Sequence, residues 1–244
     1  MIGNIDLVGE SQLLQKRYTT SQFSESILDN NSSGYIERDQ QGTRSSYNYN
    51  YWSSPVSYQG AANNAPYTVA QMLKDGTNAA IPNAFGPIQF GNSFNYADYA
   101  KTTPIKLSNY WIWKFNGTDN DYNSWVYAGS TGTILAGEGF TMKGTDGTAN
   151  ISDIQNYVFR GKPNNENITL NISAGNNRLI GNPYPSAIDA NEFILDHIKD
   201  TDTNETVQYT RYISTEYSIG GFVDDWQTLA RMEYAVVTET IGPF

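Results

Sequence analysis

Runs in which apolar and polar positions alternate recur along the chain, and the first clear one begins at Tyr47. Tyr47, Tyr49 and Tyr51 occupy every second position, which is the period of a β-strand whose two faces have different surroundings. Pro55 is expected to end this strand, because proline has no N–H to donate to a neighbouring strand.

The strongest pattern of this kind spans residues 107–127 and predicts a β-hairpin. Trp111, Trp113 and Phe115 are expected to point to one side of its first strand. Polar residues 117–123 supply the turn, and Trp125 begins the returning strand. Large aromatic side chains on both faces predict that neither face is fully exposed to water.

Further strand-like runs follow, separated by glycine-rich turns, at residues 134–136, 140–142, 157–159, 168–172 and 179–180. In one of them Ile168, Leu170 and Ile172 alternate with polar residues. The chain is rich in Asn, Gly and Tyr, which favour turns and half-buried strands. An all-β fold is therefore predicted.

Two short helices are expected among the strands. Thr68, followed three residues later by Gln71, has the residue types of a capping box, and Gly76 is expected to end this first helix. Asp189 is expected to begin the second helix, which runs through about Asp196.

The predicted architecture is β-sandwich-like, with these two short helices and a strand-rich N-terminal edge over residues 1–44. That edge is either the end of a parallel β-solenoid or a hairpin, because two strand-like pieces do not establish a repeat. Residues 45–204 form the predicted main module. All 26 Asn residues lie in residues 1–204, so residues 205–244 are predicted to be an atypical C-terminal segment.

Charge and composition narrow the functional classes. The net charge of −10 repels phosphate backbones and anionic lipids, so nucleic acid is not an expected partner. The chain has no Cys, which excludes disulfides and thiol chemistry. No run approaches the roughly 18 apolar residues of a membrane helix, so membrane insertion is not expected either.

Five stretches resemble a recurrent β-rich module of large secreted proteins of Bacteroidota: residues 5–13, 38–43, 49–56, 137–144 and 179–190. The most specific motifs are Tyr51-Trp52-Ser53-Ser54-Pro55-Val56 and Gly181-Asn182-Pro183-Tyr184-Pro185-Ser186. The similarity covers residues 4–204, and the sequence departs from the family pattern after Asn204.

Proteins with this module resemble cargo of the type IX secretion system. The resemblance implies export to the cell surface and a β-rich architecture, and it assigns no catalytic residues. It also implies that the chain is a fragment, without the signal peptide and C-terminal sorting domain of such cargo.

Few residues are candidates for catalysis. His197 is the only histidine, so zinc sites built on several His or Cys are excluded. Carboxylates alone suffice for glycoside hydrolysis. Glu138, between two glycines, is the strongest such candidate, and Glu10 and Asp153 are others. The alternative is that these carboxylates lie in turns facing water, and no catalytic residue is assigned.

Two runs place oxygen-bearing side chains at alternate positions, as calcium loops do. The first contains Asp119, Asp121 and Asn123, and the second contains Asp200, Asp202 and Asn204. Neither has the glycine and glutamate of an EF-hand. Structural calcium is the only cofactor considered, and Asp- and Asn-rich turns without metal are the alternative.

Trp52, Trp111, Trp113 and Trp125 are candidates for a glycan platform, because aromatic faces stack on sugar rings. The alternative is that these side chains form core and cross-strand pairs.

The leading hypothesis is therefore a non-enzymatic structural or adhesive module of an extracellular or cell-surface protein. The alternatives are a glycan-binding module attached to a polysaccharide-degrading enzyme and a carboxylate-dependent glycoside-active enzyme. A glycan or a cell-surface polymer is the expected partner.

Overall fold

The computed structural model describes residues 3–9, 11–18, 23–25, 31–62, 64–92, 103–146, 150, 152–173, 176–188 and 235–238, with backbone alone at 16–18, 23–25 and 235–238. The strands are β1 (Ile5–Leu7), β2 (Lys16–Tyr18), β3 (Phe23–Glu25), β4 (Ile36–Thr43), β5 (Tyr49–Trp52), β6 (Val56–Ser57), β7 (Leu73–Asp75), β8 (Gln89–Gly91), β9 (Lys106–Ser108), β10 (Trp113–Gly117), β11 (Trp125–Tyr127), β12 (Phe140–Lys143), β13 (Ile154–Pro163), β14 (Asn177–Ile180) and β15 (Ala235–Thr238). The described helical pieces are α1 (Val69–Met72) and the 3-10 turns Asn109–Trp111 and Tyr122–Ser124. The predicted all-β class is confirmed.

The largest sheet is built around β13. Its strand order is β1-β4-β13-β6, with β7 also paired to β13. β13 pairs antiparallel with β4 from Ile154 opposite Thr43 to Gly161 opposite Ile36. Tyr157, Val158 and Phe159 are fully buried, so both faces of β13 are covered.

The other sheets are smaller. One has the order β11-β10-β14-β15, and three further pairs are β5 with β12, β2 with β3, and β8 with β9. Contacts between β10 and β12 place the four-stranded sheet beside the β5–β12 pair. Within the described ranges, no helix is long and apolar enough to cross a membrane.

The N-terminal edge shares this sheet and its core. β1 pairs parallel with β4, which is the arrangement of stacked solenoid strands rather than of a hairpin. On its other side β4 pairs antiparallel with β13, so the described parallel stack has two strands. Leu7 and Ile36 belong to the same hydrophobic core as Trp52 and Phe159.

The first predicted helix is shorter than expected. The Gln71 side chain accepts a hydrogen bond from the Thr68 N–H at 3.0 Å, as a capping box predicts. The helix ends at Met72 instead of continuing to Gly76, because Leu73 enters β7 and pairs with Phe159 of β13. The second predicted helix, from Asp189, lies outside the described residues.

The predicted strand over residues 168–172 is not a paired strand. Its alternation is present, since Ile168, Leu170 and Ile172 are half-buried and the residues between them are exposed. Ile168 and Leu170 pack over the turn at Gly137 instead of joining a sheet. Side-chain burial on one face therefore produced the alternation without pairing to any described strand.

Candidate aromatic binding surface

The hairpin of β10 and β11 carries four aromatic side chains on one face. Trp113 lies opposite Tyr127, and Phe115 lies opposite Trp125. Their ring centroids are 5.2 Å and 5.0 Å apart, and both pairs pack edge to face. The predicted hairpin is thus confirmed, and its register brings these four rings together because alternate residues share a face.

The aromatic face continues onto the preceding 3-10 turn and β5. Tyr110 contacts Trp113 at 6.0 Å and Trp111 at 4.6 Å between ring centroids. Trp111 contacts Tyr49 at 5.9 Å, and Tyr49 contacts Tyr51 at 6.5 Å. We call the whole set the aromatic surface: Tyr49, Tyr51, Tyr110, Trp111, Trp113, Phe115, Trp125 and Tyr127.

This surface is partly open to solvent. Tyr127 is 50% exposed, Tyr49 and Tyr110 are exposed as well, and the remaining five side chains are half-buried. None of the eight belongs to the buried hydrophobic core of the described chain. An exposed apolar patch of this kind, flanked by polar residues, is typical of a binding site.

Lys143 of β12 lies beneath the aromatic surface. Its Nζ is 4.0 Å from the ring centroid of Trp111 and 4.7 Å from that of Tyr49, so both rings make cation–π contacts with the ammonium group. Burial lowers the pKa of Lys143. Desolvation, with smaller contributions from neighbouring tyrosines, raises the pKa of Tyr49 to about 12, so this phenol is neutral at physiological pH.

Trp52 does not join this surface, which corrects its inclusion in the predicted platform. Its side chain is only 4% exposed. Its ring centroid lies 5.7 Å from that of Tyr157 and 5.8 Å from that of Phe159. In β5, Trp52 takes the buried face and Tyr49 and Tyr51 the other. Sequence reasoning missed Tyr49, Tyr110 and Tyr127 as partners of the tryptophans. The alternation in β5 already indicated that Tyr49 and Trp52 point to opposite faces of the strand.

The first predicted calcium run forms the turn of the hairpin. Asp119 Oδ1 accepts a hydrogen bond from the Asn120 N–H at 2.9 Å, and Asp121 Oδ1 accepts one from the Asn123 N–H at 2.9 Å. In the part of the chain that the structure describes, no three or more His, Cys, Asp or Glu side chains cluster as metal ligands. Calcium binding stays a prediction here, and the second run lies outside the described residues: Asp200, Asp202 and Asn204.

Glu138 does not face water, contrary to the turn interpretation. It is 2% exposed, and its two carboxylate oxygens separately bind Arg178 Nη2 at 2.9 Å and Lys114 Nζ at 3.0 Å. The oxygen that binds Lys114 also accepts the Leu135 N–H at 3.0 Å. All of these contacts hold Glu138 in place, which is the arrangement of a structural ion-pair network.

The other candidates for acid–base chemistry are not grouped with Glu138 by any described contact. Asp153 is half-buried and accepts a hydrogen bond from the Asn150 side chain at 3.2 Å. Glu10 and His197 lie outside the described residues.

Asn164 joins two of the stretches that carry the family resemblance. It is fully buried, and its Nδ2 donates to the Ser54 carbonyl at 3.1 Å and to the Pro183 carbonyl at 2.9 Å. Its Oδ1 accepts from Ser57 Oγ at 2.9 Å, and its N–H donates to the Pro55 carbonyl at 3.2 Å. The Tyr-Trp-Ser-Ser-Pro-Val and Gly-Asn-Pro-Tyr-Pro-Ser motifs are therefore held together by one amide side chain.

Hydrogen bonds to backbone carbonyls also join the other stretches that carry the resemblance. The Leu13 N–H donates to the Pro185 carbonyl at 2.9 Å. Arg38 Nη1 donates to the Gly9 carbonyl at 2.7 Å. The Gly181 N–H donates to the Gly137 carbonyl at 3.0 Å. These contacts form a scaffold in which the motif residues mainly support each other.

Comparison with known proteins identifies one family. Residues 87–236 match the family described as "Domain of unknown function (DUF8693)". The match contains the aromatic hairpin and all three residues of the ion-pair network, and it extends past residue 204. No curated protein and no solved structure matches the chain.

Proposed function

We propose that this chain, which belongs to the DUF8693 family of domains of unknown function, is a non-enzymatic structural or adhesive module of a secreted or cell-surface protein. The observation that carries this proposal is that residues of the motif stretches form contacts with one another inside the fold. Gly9, Pro55, Gly137 and Pro183 contact other motif stretches or the buried Asn164, so the shared sequence features support the scaffold.

The burial and the two ion pairs of Glu138 support the same proposal. Glycoside hydrolysis requires two carboxyl groups about 5–10 Å apart, accessible to a substrate. Glu138 is buried and bound to two cations, which leaves it no accessible oxygen for proton transfer. A scaffold function requires no accessible carboxylate.

Surface exposure on intact cells tests the proposal. In the organism that carries the gene, the full-length protein should be removed by protease added outside the cells, while a cytoplasmic marker should remain intact. Recovery of the undigested protein in the cytoplasmic fraction would refute an extracellular module.

The aromatic surface favours a second, more specific function, which is glycan binding by an adhesive module. Trp111, Trp113 and Trp125 are three of the four predicted platform residues, and they lie, each half-buried, on one continuous surface. The exposed polar turn at Asp119 and Asp121 follows directly from β10 and provides hydrogen-bond acceptors for hydroxyl groups. Aromatic faces combined with such polar groups suit uncharged or weakly charged sugars.

A glycan array probed with the complete chain tests this second function. We expect hits whose affinity falls roughly tenfold, equivalent to about 1.4 kcal/mol, in Trp113→Ala and in Trp125→Ala. The matched control is Phe85→Ala, which removes an exposed aromatic side chain outside the aromatic surface. An array without hits on folded protein, or hits insensitive to both tryptophan variants, would contradict glycan binding here.

A further inference from the structure

The segment 167–173 has the form of a strand that pairs with no described strand. Side-chain burial alternates along it, with Ile168, Leu170 and Ile172 inward and the other four residues exposed. A Cβ placed on Gly137 would lie 3.2 Å from Ile168 Cγ2 and 3.3 Å from Leu170 Cδ1. Two residues separated by one position therefore reach the same point, as side chains on one face of an extended backbone do.

The backbone of this segment makes few hydrogen bonds. Among the described residues, no backbone carbonyl accepts a hydrogen bond from an N–H group of residues 167–172. The Asn171 carbonyl accepts from Arg178 Nη1 at 2.7 Å, and the Ser173 carbonyl accepts from the Asn176 N–H at 3.0 Å. Beside it, an open groove of about 230 Å³ is lined by Asn64, Leu135, Ala136 and residues 167–170.

The backbone groups of this segment point to two sides, and the two sides have different surroundings. In an extended strand, the N–H and C=O of one residue point to the same side, and the next residue points to the other. Because the Asn171 carbonyl faces Arg178 on β14, residues 168, 170 and 172 present their backbone groups to the outer side.

The segment also lacks the features that prevent strand addition. Natural sheet edges are protected by charged side chains, proline or bulges. Residues 167–173 (Asn-Ile-Thr-Leu-Asn-Ile-Ser) contain no charge, no proline and no glycine, in a chain whose net charge is −10. A second copy of this segment can therefore approach without bringing like charges together.

We propose that residues 167–173 form a homodimer interface, in which two copies of the chain join by antiparallel strand pairing about a two-fold axis at Leu170. Leu170 then lies opposite Leu170 of the second copy, and Ile168 lies opposite Ile172. These are the residues whose backbone groups face outward, so each pair exchanges two hydrogen bonds. On the exposed face, Thr169 lies opposite Asn171. The interface does not depend on glycan binding or export.

Sedimentation velocity of the complete chain over a concentration series tests the interface. The unmodified chain should form a reversible dimer. The double variant Thr169→Lys/Asn171→Lys places lysines opposite each other twice, so its dissociation constant should rise about tenfold. Thr169→Lys/Asn171→Glu replaces each repulsion by an opposite-charge pair and should restore the dimer.

Thr131→Lys/Thr133→Lys is the matched control, because it adds two lysines with the same spacing at exposed positions outside the segment. Its dimerisation should equal that of the unmodified chain. Circular dichroism melting of all variants should show unchanged folding, since every altered side chain is exposed. A chain that is monomeric at every concentration would overturn the proposal, as would a dimer indifferent to the paired lysines. Failure of the Lys/Glu variant to restore dimerisation would overturn the register.

Discussion

Glu138→Gln should lower the free energy of unfolding by about 3 kcal/mol or more, because it removes one partner of a buried ion-pair network. Lys114 and Arg178 would keep their positive charges, and Arg178 is almost fully buried. A neutral amide compensates neither charge, although its oxygen can still accept one hydrogen bond. Urea unfolding followed by tryptophan fluorescence measures the change.

Glu166→Gln is the matched control for this variant. The substitution is chemically identical, but Glu166 is exposed and no described side-chain contact depends on it. Its effect should stay within about 0.5 kcal/mol. Equal stability of the two variants would show that the contacts of Glu138 with Lys114 and Arg178 do not stabilise the fold.

Asn164→Ala should lower the free energy of unfolding by about 3 kcal/mol, because three side-chain hydrogen bonds disappear at a fully buried position. The carbonyls of fully buried Ser54 and half-buried Pro183 would each lose a hydrogen-bond donor. The two motif stretches that Asn164 connects would then be held by fewer contacts.

A second substitution at Asn164 tests the contribution of the hydrogen bonds that its side-chain amide donates. Asn164→Asp conserves size and the acceptor oxygen but removes both Nδ2 donors, and its negative charge would face the Ser54 and Pro183 carbonyls. It should destabilise the protein at least as much as Asn164→Ala in the same urea titration. Asn116→Ala, at an exposed position of β10, should change stability by less than about 0.5 kcal/mol. A stable Asn164→Asp protein would show that the donated hydrogen bonds are not needed.

Local patterns predicted the strands better than the ends of elements. Alternation around Tyr49 and around Trp113 identified β5 and the β10–β11 hairpin, because side chains of a strand point to opposite faces whatever the fold. The prediction from the capping box and Gly76 was wrong at Leu73, where pairing with β13 produced a strand in place of a continued helix. A single turn of helix contributes too little to compete with a buried strand partner.

The candidate site was predicted only in part. Trp111, Trp113 and Trp125 were identified as candidates, and the structure places them on one surface with Tyr49 and Tyr127. The contact between Trp111 and Tyr49 joins residues far apart in the chain. No local pattern contains that information.

The sequence by itself determined the class of fold, the hairpin, the absence of Cys and the presence of a single His, since period, turn residues and composition are local properties. Only the tertiary structure decided which face of each strand is covered. Trp52 and Trp113 both stand in alternating runs, yet Trp52 packs against Phe159 in the core and Trp113 remains at the surface. Likewise Glu138, which the sequence left as either a catalytic candidate or a turn residue facing water, meets Lys114 and Arg178. These charges come together because β10 pairs with β14 in one sheet and Glu138 bridges Ile180 of β14.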